Sequence, residues 1–289
     1  MISLKTSIQT LDKLDKQDIP GLIELSTSVG WDYNREEITT IMSSGIIYGH
    51  KNKEGKIVSS AAIVAYESKV ASVGMVIVRG EYRGLGLGKR ATEKCLESAK
   101  ENTTVMLIAT EAGKPMYEKM GFILIDTVHK YLCDSYIPIL IDNFRNSSIE
   151  NLQNEEIPQI ITLDKNAFGD NRKTLLINRI KQAKKALVVR NADGNLVGFG
   201  LSISGTENLL LGPIIAPDAE TAYLLINNLA KNHKGKIRID VPSGNEHFMS
   251  QLVQSGFSKV SQPPIMILNS TKMPQRNRTL YGIAAQIFG

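Results

Sequence analysis

Four glycines and two arginines follow the end of an apolar run: Val76-Ile77-Val78-Arg79-Gly80-Glu81-Tyr82-Arg83-Gly84-Leu85-Gly86-Leu87-Gly88. The pattern reads as a strand ending at Val78, a basic glycine loop, and an amphipathic helix that begins at Gly86 and runs to about Asn102. Such a junction can hold a phosphate. The first helical turn leaves N–H groups without acceptors, and the helix dipole adds a positive field there. The candidate cradle is Arg83, Gly84, Leu85, Gly86, Leu87, Gly88 and Lys89. Its glycines let backbone approach a ligand, and Arg83 can add a forked, charge-assisted contact. Two common phosphate patterns fail. The P-loop needs Gly at 83 and Ser or Thr at 90, where Arg stands in both cases; the dinucleotide pattern needs Gly at 89, where Lys89 stands. What remains is R-x-x-G-x-G at Arg83, Gly86 and Gly88.

The elements that must position this loop are a strand before it, Val70–Val78, and a strand after the helix, Val105–Thr110. Then comes Pro115-Met116-Tyr117-Glu118-Lys119-Met120-Gly121-Phe122. In this context the R-x-x-G-x-G run resembles the acyl-CoA loop of the GNAT acetyltransferase superfamily, and the second run resembles the tyrosine-bearing half of the same cofactor site. The resemblance implies acetyl-CoA as cofactor. It also implies backbone contacts from Met75, Val76, Ile77 and Val78, where the two central strands of that fold splay apart. One position departs from the family: the Asn often found seven residues before the tyrosine is Thr110 here.

The chain repeats itself. Asp18-Ile19-Pro20 is matched by Glu156-Ile157-Pro158 at an offset of 138, each opening a helix with Pro in its first turn. The turn at Gly55 is matched at Gly194, offset 139, and Gly121-Phe122 at Gly256-Phe257, offset 135. Residues are therefore lost in the second copy between its fourth and fifth strands, where the phosphate loop belongs. The second copy reads Leu211-Gly212-Pro213-Ile214-Ile215-Ala216-Pro217-Asp218-Ala219-Glu220, without a glycine run or a basic residue. Asp218 would repel a pyrophosphate, and Pro217 supplies no N–H. The expectation is an α/β chain, more strictly α+β with a mixed sheet, of two tandem GNAT-like domains. Residues 1–140 would be the working domain and 141–289 the degenerate one. Each follows the order β-α-β-β-β-α-β-α-β. The boundary is expected within Asp134–Ser148, where Pro138 and Asn146-Ser147-Ser148 interrupt the pattern.

Size and composition agree with two domains. The chain has 289 residues and 42% hydrophobic content, enough for two cores. It has no apolar stretch of the ~20 residues a bilayer span needs, and Met1-Ile2-Ser3-Leu4-Lys5 lacks a signal-peptide pattern. A cytoplasmic protein without membrane contact is expected. A net charge of +5 with scattered lysines argues against nucleic acid as a partner. The four histidines show no ligand spacing, so no metal is expected. Cys95 falls on the apolar helix face with Leu87, Ala91 and Ala99, as a small core residue.

Acetyl transfer to an amine needs a polarised thioester carbonyl, a neutral amine and a proton for the departing thiolate. By resemblance, Met75 to Val78 would serve the carbonyl with backbone groups and Tyr117 would be the acid. An amine of pKa ~10.4 is almost wholly protonated near pH 7, so a base matters. Glu111, just after the strand Val105–Thr110, is the candidate. Trp31, Asp32 and Glu36, in and beside the loop after the first helix, are candidates for binding a cationic acceptor. A buried Cys95 is a poor acyl carrier, so the amine is expected to attack directly in a ternary complex. The acceptor would be a small-molecule or peptide amine. Two like domains in one chain can imitate a homodimer, so a monomer or weak homodimer is expected. The competing reading is an acyl-CoA-binding regulatory pseudo-enzyme without turnover; a third gives the C-terminal domain the acceptor site or a protein partner. The apolar pattern of 279–289 suggests docking onto the body.

Overall fold

Both repeats fold into the same sequence of elements in the computed structural model, which describes residues 8–139 and 148–289. The first copy runs β1 (Ile8–Lys13), α1 (Ile19–Thr27), α2 (Arg35–Ser44), β2 (Ile46–Asn52), β3 (Ile57–Ala65), β4 (Val70–Val78), α3 (Leu87–Glu97), β5 (Thr104–Ile108), α4 (Lys114–Lys119) and β6 (Ile123–Cys133). The second runs β7 (Ser148–Asn151), α5 (Ile157–Phe168), α6 (Lys173–Gln182), β8 (Ala183–Arg190), β9 (Leu196–Ser204), β10 (Leu209–Ile215), α7 (Ala219–Ala230), β11 (Ile237–Pro242), α8 (Glu246–Gln254), β12 (Ser258–Ser261), β13 (Pro264–Leu268) and β14 (Leu280–Gly282). The order matches expectation apart from a second helix after the first in each copy and two further strands, β13 and β14, at the end of the second. Asn34 starts α2 by accepting the Glu37 N–H at 2.8 Å. The boundary expected between 140 and 141, and the Asn146-Ser147 interruption, lie outside the described residues.

The strands form one mixed sheet, ordered β1-β2-β3-β4-β5-β13-β6-β11-β10-β9-β8-β7. Among the described residues, only β4–β5 and β10–β11 pair in parallel. The sixth strand of each half comes from the other: β13 pairs with β5, β6 pairs with β11, and β6 and β13 pair with each other at the seam. The exchange ties the halves together, because neither half of the sheet is complete on its own residues.

Central strands are covered on both faces and read as nearly continuous apolar runs, β3 most clearly with Ile57-Val58-Ser59-Ser60-Ala61-Ala62-Ile63-Val64 all buried. On one face α3 packs Ala91 and Cys95 against Ala61, Ile63 and Val73. On the other, Leu22 and Leu25 of α1 and Ile38 and Ile41 of α2 join a core that continues through Phe168, Leu175 and Leu176 of the second copy. Polar contacts cross there too. Asp170 accepts the N–H groups of Ser68 (3.1 Å), Lys69 (2.9 Å) and Val70 (2.9 Å), capping the β3–β4 turn of the other copy.

The chain's last segment docks between the copies. Ser72 donates to Ile287 O at 2.7 Å, Arg179 to Ala284 O at 2.6 Å, and Arg172 to Gly289 O at 2.9 Å. Arg172 is itself a buried ion-pair partner of Asp164 at 2.7 Å.

Candidate functional site

The glycine loop has the shape its sequence requires. Gly84 and Gly86 both have φ of +76°, and Gly86 is the N-cap residue of α3. A Cβ at either would meet nothing within 4 Å. Backbone conformation, rather than space, selects glycine at these two positions. Gly88 is different: a Cβ there would stand 3.3 Å from Val78 Cγ2 and 3.7 Å from Met116 Sδ, so it sets how closely the helix start approaches the strand. The Arg90 N–H reaches Gly86 O at 3.0 Å, and the amides before it have no acceptor inside the helix. Arg83 and Lys89 are exposed beside them; Arg83 Nε lies 3.4 Å from Val78 O, and Lys89 lies 3.5 Å from Glu93.

Beside the loop the sheet opens. The parallel pairing of β4 with β5 ends at Val73–Leu107. Past it, β4 bulges against β3 between Ser60 and Ala62, with Met75 at φ +51° and its carbonyl accepting from Ser60 Oγ at 2.8 Å. Backbone from Gly74 to Val78 is thereby released from its β5 neighbour, the splay expected for these residues.

The second copy is an internal control. Pairing of β10 with β11 likewise ends, at Leu211–Ile239, and Gly212-Pro213 stand where Gly74-Met75 stand. Here the chain itself fills the opening. β14 pairs with β10 through Ile214–Gly282 and Ile215–Leu280, and the Ile283 N–H donates to Asp240 O at 3.0 Å. At the next helix, Asp218 accepts the Thr221 N–H at 2.7 Å. A carboxylate of the protein thus sits where the first copy leaves its amides open.

A cavity of about 490 Å³ adjoins the first opening. Gly74, Met75, Ile108, Thr110 and Glu111 line it from the splayed strands, Trp31, Asp32, Tyr33 and Glu37 from the α1–α2 connection and α2. Lys130 of β6, Arg238 of β11 and Gln262 of the β12–β13 connection line it from the seam, and Gln286 and Ile287 from the terminal segment. Trp31, Asp32, Met75, Thr110 and Glu111 are therefore brought together. Val76 to Val78 and the loop residues 83–89 lie outside its lining, and Glu36 is exposed outside it while its neighbour Glu37 lines it. Glu37 is engaged, accepting from Arg179 at 2.6 Å and Gln182 at 2.9 Å. Burial pushes the Tyr33 phenol up, with Glu37 adding to it.

Tyr117 is 7% exposed, packs edge-on to Phe122, and is not part of the cavity lining. Burial, with Cys95 second, pushes its phenol well above the ordinary value. Such a group stays protonated, and its chemistry is that of a hydrogen-bond donor. Cys95 is fully buried, and burial pushes its thiol up to about 12. Sequence reading missed Tyr33, Lys130, Arg238 and Gln286. The available signal was charge inside apolar strands: Lys130 between Val128 and Leu132, and Arg238-Ile239-Asp240-Val241.

The arrangement fits a phosphate-bearing ligand at the loop, an extended ligand along β4, and an acceptor in the cavity. Comparison with known proteins points the same way. The chain matches the Acetyltransferase (GNAT) family over residues 21–122 and the Acetyltransferase (GNAT) domain over residues 160–282. It is 35% identical over 283 residues to the uncharacterized N-acetyltransferase YitH of Bacillus subtilis, covering 98% of this chain and 99% of that protein. Among solved structures it is similar to a Pyrococcus horikoshii protein named as an acetyltransferase, with a TM-score of 0.80 and 20% identity, covering 98% of this chain and 96% of that one. It is also similar to a tandem GNAT protein from the clavulanic acid biosynthesis pathway, with a TM-score of 0.65 and 12% identity, covering 92% and 99%. At those identities the two structures speak for the fold.

Proposed function

This chain belongs to the GNAT acetyltransferase family as a tandem of two GNAT domains, and from that premise we propose that it is an acetyl-CoA-dependent N-acetyltransferase working through its first copy. The observation that carries the reading is the contrast between the copies. In the first, the strands part beside a helix start whose amides are open; in the second, β14 and Asp218 occupy the corresponding places. Acetyl-CoA, when bound, supplies an acyl group activated as a thioester. The amides of residues 84–89, with Arg83, would hold its phosphates. The released backbone of Met75 to Val78 would orient the pantetheine and offer donors to the acyl oxygen, a fixed arrangement that needs no reorganisation as charge develops. Glu111 would take the proton of the acceptor amine, directly or through a water. The Tyr117 hydroxyl would donate a hydrogen bond to the leaving sulfur. With the Cys95 thiol sealed in the core, the chain offers no acyl carrier there, which supports direct attack in a ternary complex.

Calorimetric titration with acetyl-CoA tests the reading. One saturable micromolar site per chain is expected; no binding at millimolar ligand would overturn it. Tyr117→Phe separates an enzyme from a binding protein without turnover. The enzyme reading expects kcat to fall roughly 100-fold, the lower end of proton-donor effects, at unchanged acetyl-CoA affinity.

A further inference from the structure

The walls of the cavity carry opposite charge, and the positive one is built across the seam between the copies. Asp32 and Glu111 stand on the first copy's side, and neither forms an ion pair among the described residues. The third acid there, Glu37, is answered by Arg179. The facing wall is the β6–β11 ladder, in which Lys130 lies directly opposite Asp240. Arg238, two residues before Asp240, shares its face of the strand. Arg238 reaches Asp240 through Nε at 2.9 Å and Nη2 at 2.8 Å, which leaves Nη1 outside that pair. The other oxygen of Asp240 accepts Gln286 Nε2 at 2.9 Å. Lys130 forms no ion pair among the described residues, although it is half-buried. Two cations thus stand beside one carboxylate that is committed to Arg238, and the wall holds an unanswered positive charge. Burial, then Arg238, pull the Lys130 ammonium below its ordinary value, against the weaker opposing pull of Asp240 and Asp32. A half-buried ammonium in that state gains from an incoming anion.

We infer that the acceptor is a small amphoteric molecule, an amine that also bears a carboxylate or phosphate, with its anionic group on Lys130 and Arg238 and its amine toward Glu111 and Asp32. The inference rests on the acetyltransferase reading. A cavity of about 490 Å³ suits a small molecule, small-ligand sites spanning roughly 300–1,000 Å³. A polyamine would meet the acids but leave a cationic wall facing it.

The test uses the full-length protein and acceptor pairs that differ only in the acid: amino acids against their decarboxylated amines, and phosphoethanolamine against ethanolamine. Release of the CoA thiol is read after acetyl-CoA binding has been measured. In at least one pair the acid-bearing member should exceed its partner in kcat/KM by about 10- to 100-fold, the scale of one charge-assisted contact; which pair responds tells carboxylate from phosphate. Lys130→Met should abolish most of that ratio through KM, at unchanged acetyl-CoA affinity, and Lys130→Arg should keep it. The inference falls if acid-free amines are used equally well, if Lys130→Met leaves the ratio intact, or if the whole panel is silent in a protein that binds acetyl-CoA. Failure to bind acetyl-CoA instead removes the underlying reading.

Discussion

Replacing Gly86 by Ala isolates what the glycine loop contributes. Gly86 sits at φ +76° and ψ +9°, and a Cβ there meets nothing within 4 Å. No neighbour would be displaced, so the cost is the backbone's own, ~1–2 kcal/mol for an L-residue in the left-handed region. The protein can respond in two ways. It keeps the conformation and loses about that much stability, or the loop relaxes and turns the amides of Leu87 to Lys89 away from the ligand. In the second case the competent conformer is depleted and acetyl-CoA affinity falls by roughly 5- to 30-fold, the same free energy expressed as binding. Gly84→Ala, with the same φ and the same open surroundings, should behave alike. Gly88→Ala should not. It lies inside the helix, where Ala gains ~0.8–1 kcal/mol in propensity, offset by a tight contact of 3.3 Å with a methyl of Val78, whose β-branched side chain yields little; near-neutral stability is expected. Urea unfolding and calorimetric titration with acetyl-CoA, run on all three variants, read both quantities. Wild-type stability together with wild-type affinity in Gly86→Ala would refute the reasoning, as would a larger loss in Gly88→Ala than in Gly86→Ala.

Acid sensitivity should reside partly in Asp170. Burial pushes its carboxyl up, but the amides of Lys69, Val70 and Asn171 outweigh that and hold it below its ordinary value. The ionised form is favoured by folding, so its contribution is complete above the unfolded pKa of ~3.9 and is lost as pH falls through the lower folded value. Asp170→Asn should cost ~1–3 kcal/mol near neutrality, with a flatter stability profile below about pH 4; a profile parallel to wild type would count against this. The Cys95 thiol, pushed up to about 12 and fully buried, should resist iodoacetamide near pH 8 until denaturant is added, as read by mass spectrometry; prompt labelling of the native protein would mean the helix face is open. A fragment of residues 1–147 lacks β13 and leaves facing edges on β5 and β6. It should be insoluble or unfold without a cooperative transition, and co-expression with residues 148–289 should rescue it; a cooperative, soluble fragment would show that the strand exchange is dispensable.

Much of this was legible in the sequence because it is local. The loop announces itself through Gly84 and Gly86, positions whose φ only glycine takes easily, and the helix starts through Pro20 and Pro158. The repeat offsets located the missing loop correctly, and Asp218 does occupy the helix start it was expected to spoil. What could not be read is pairing at long range. The pattern of Pro264–Leu268 says strand but is silent about which edge receives it. Its partners, β5 and β6, lie in the other copy. The positive wall of the cavity was invisible for the same reason. Lys130, Arg238 and Gln286 are scattered over more than 150 positions and meet only because the sheets exchange strands. Tyr117 is a milder case: its motif was evident, whereas its burial, and so its character as a donor, depended on Phe122 and Cys95 packing around it.

The β14 segment has a consequence for occupancy. Lying across the second opening, it is a tethered competitor for any soluble ligand of that cleft. A group on the same chain is present at an effective concentration of order millimolar before its own contacts are counted, and here two ladder partners and the Ile283–Asp240 bond add to it. Dilution does not weaken it and added thioester does not readily displace it. The same few residues then run on through Gln286 and Ile287 to the working cavity. Closing one cleft therefore anchors part of the floor of the other, and an occupant that prised β14 loose would do so at the expense of the site 138 residues before it in the fold's own symmetry, where Ile287 rests on Gly74.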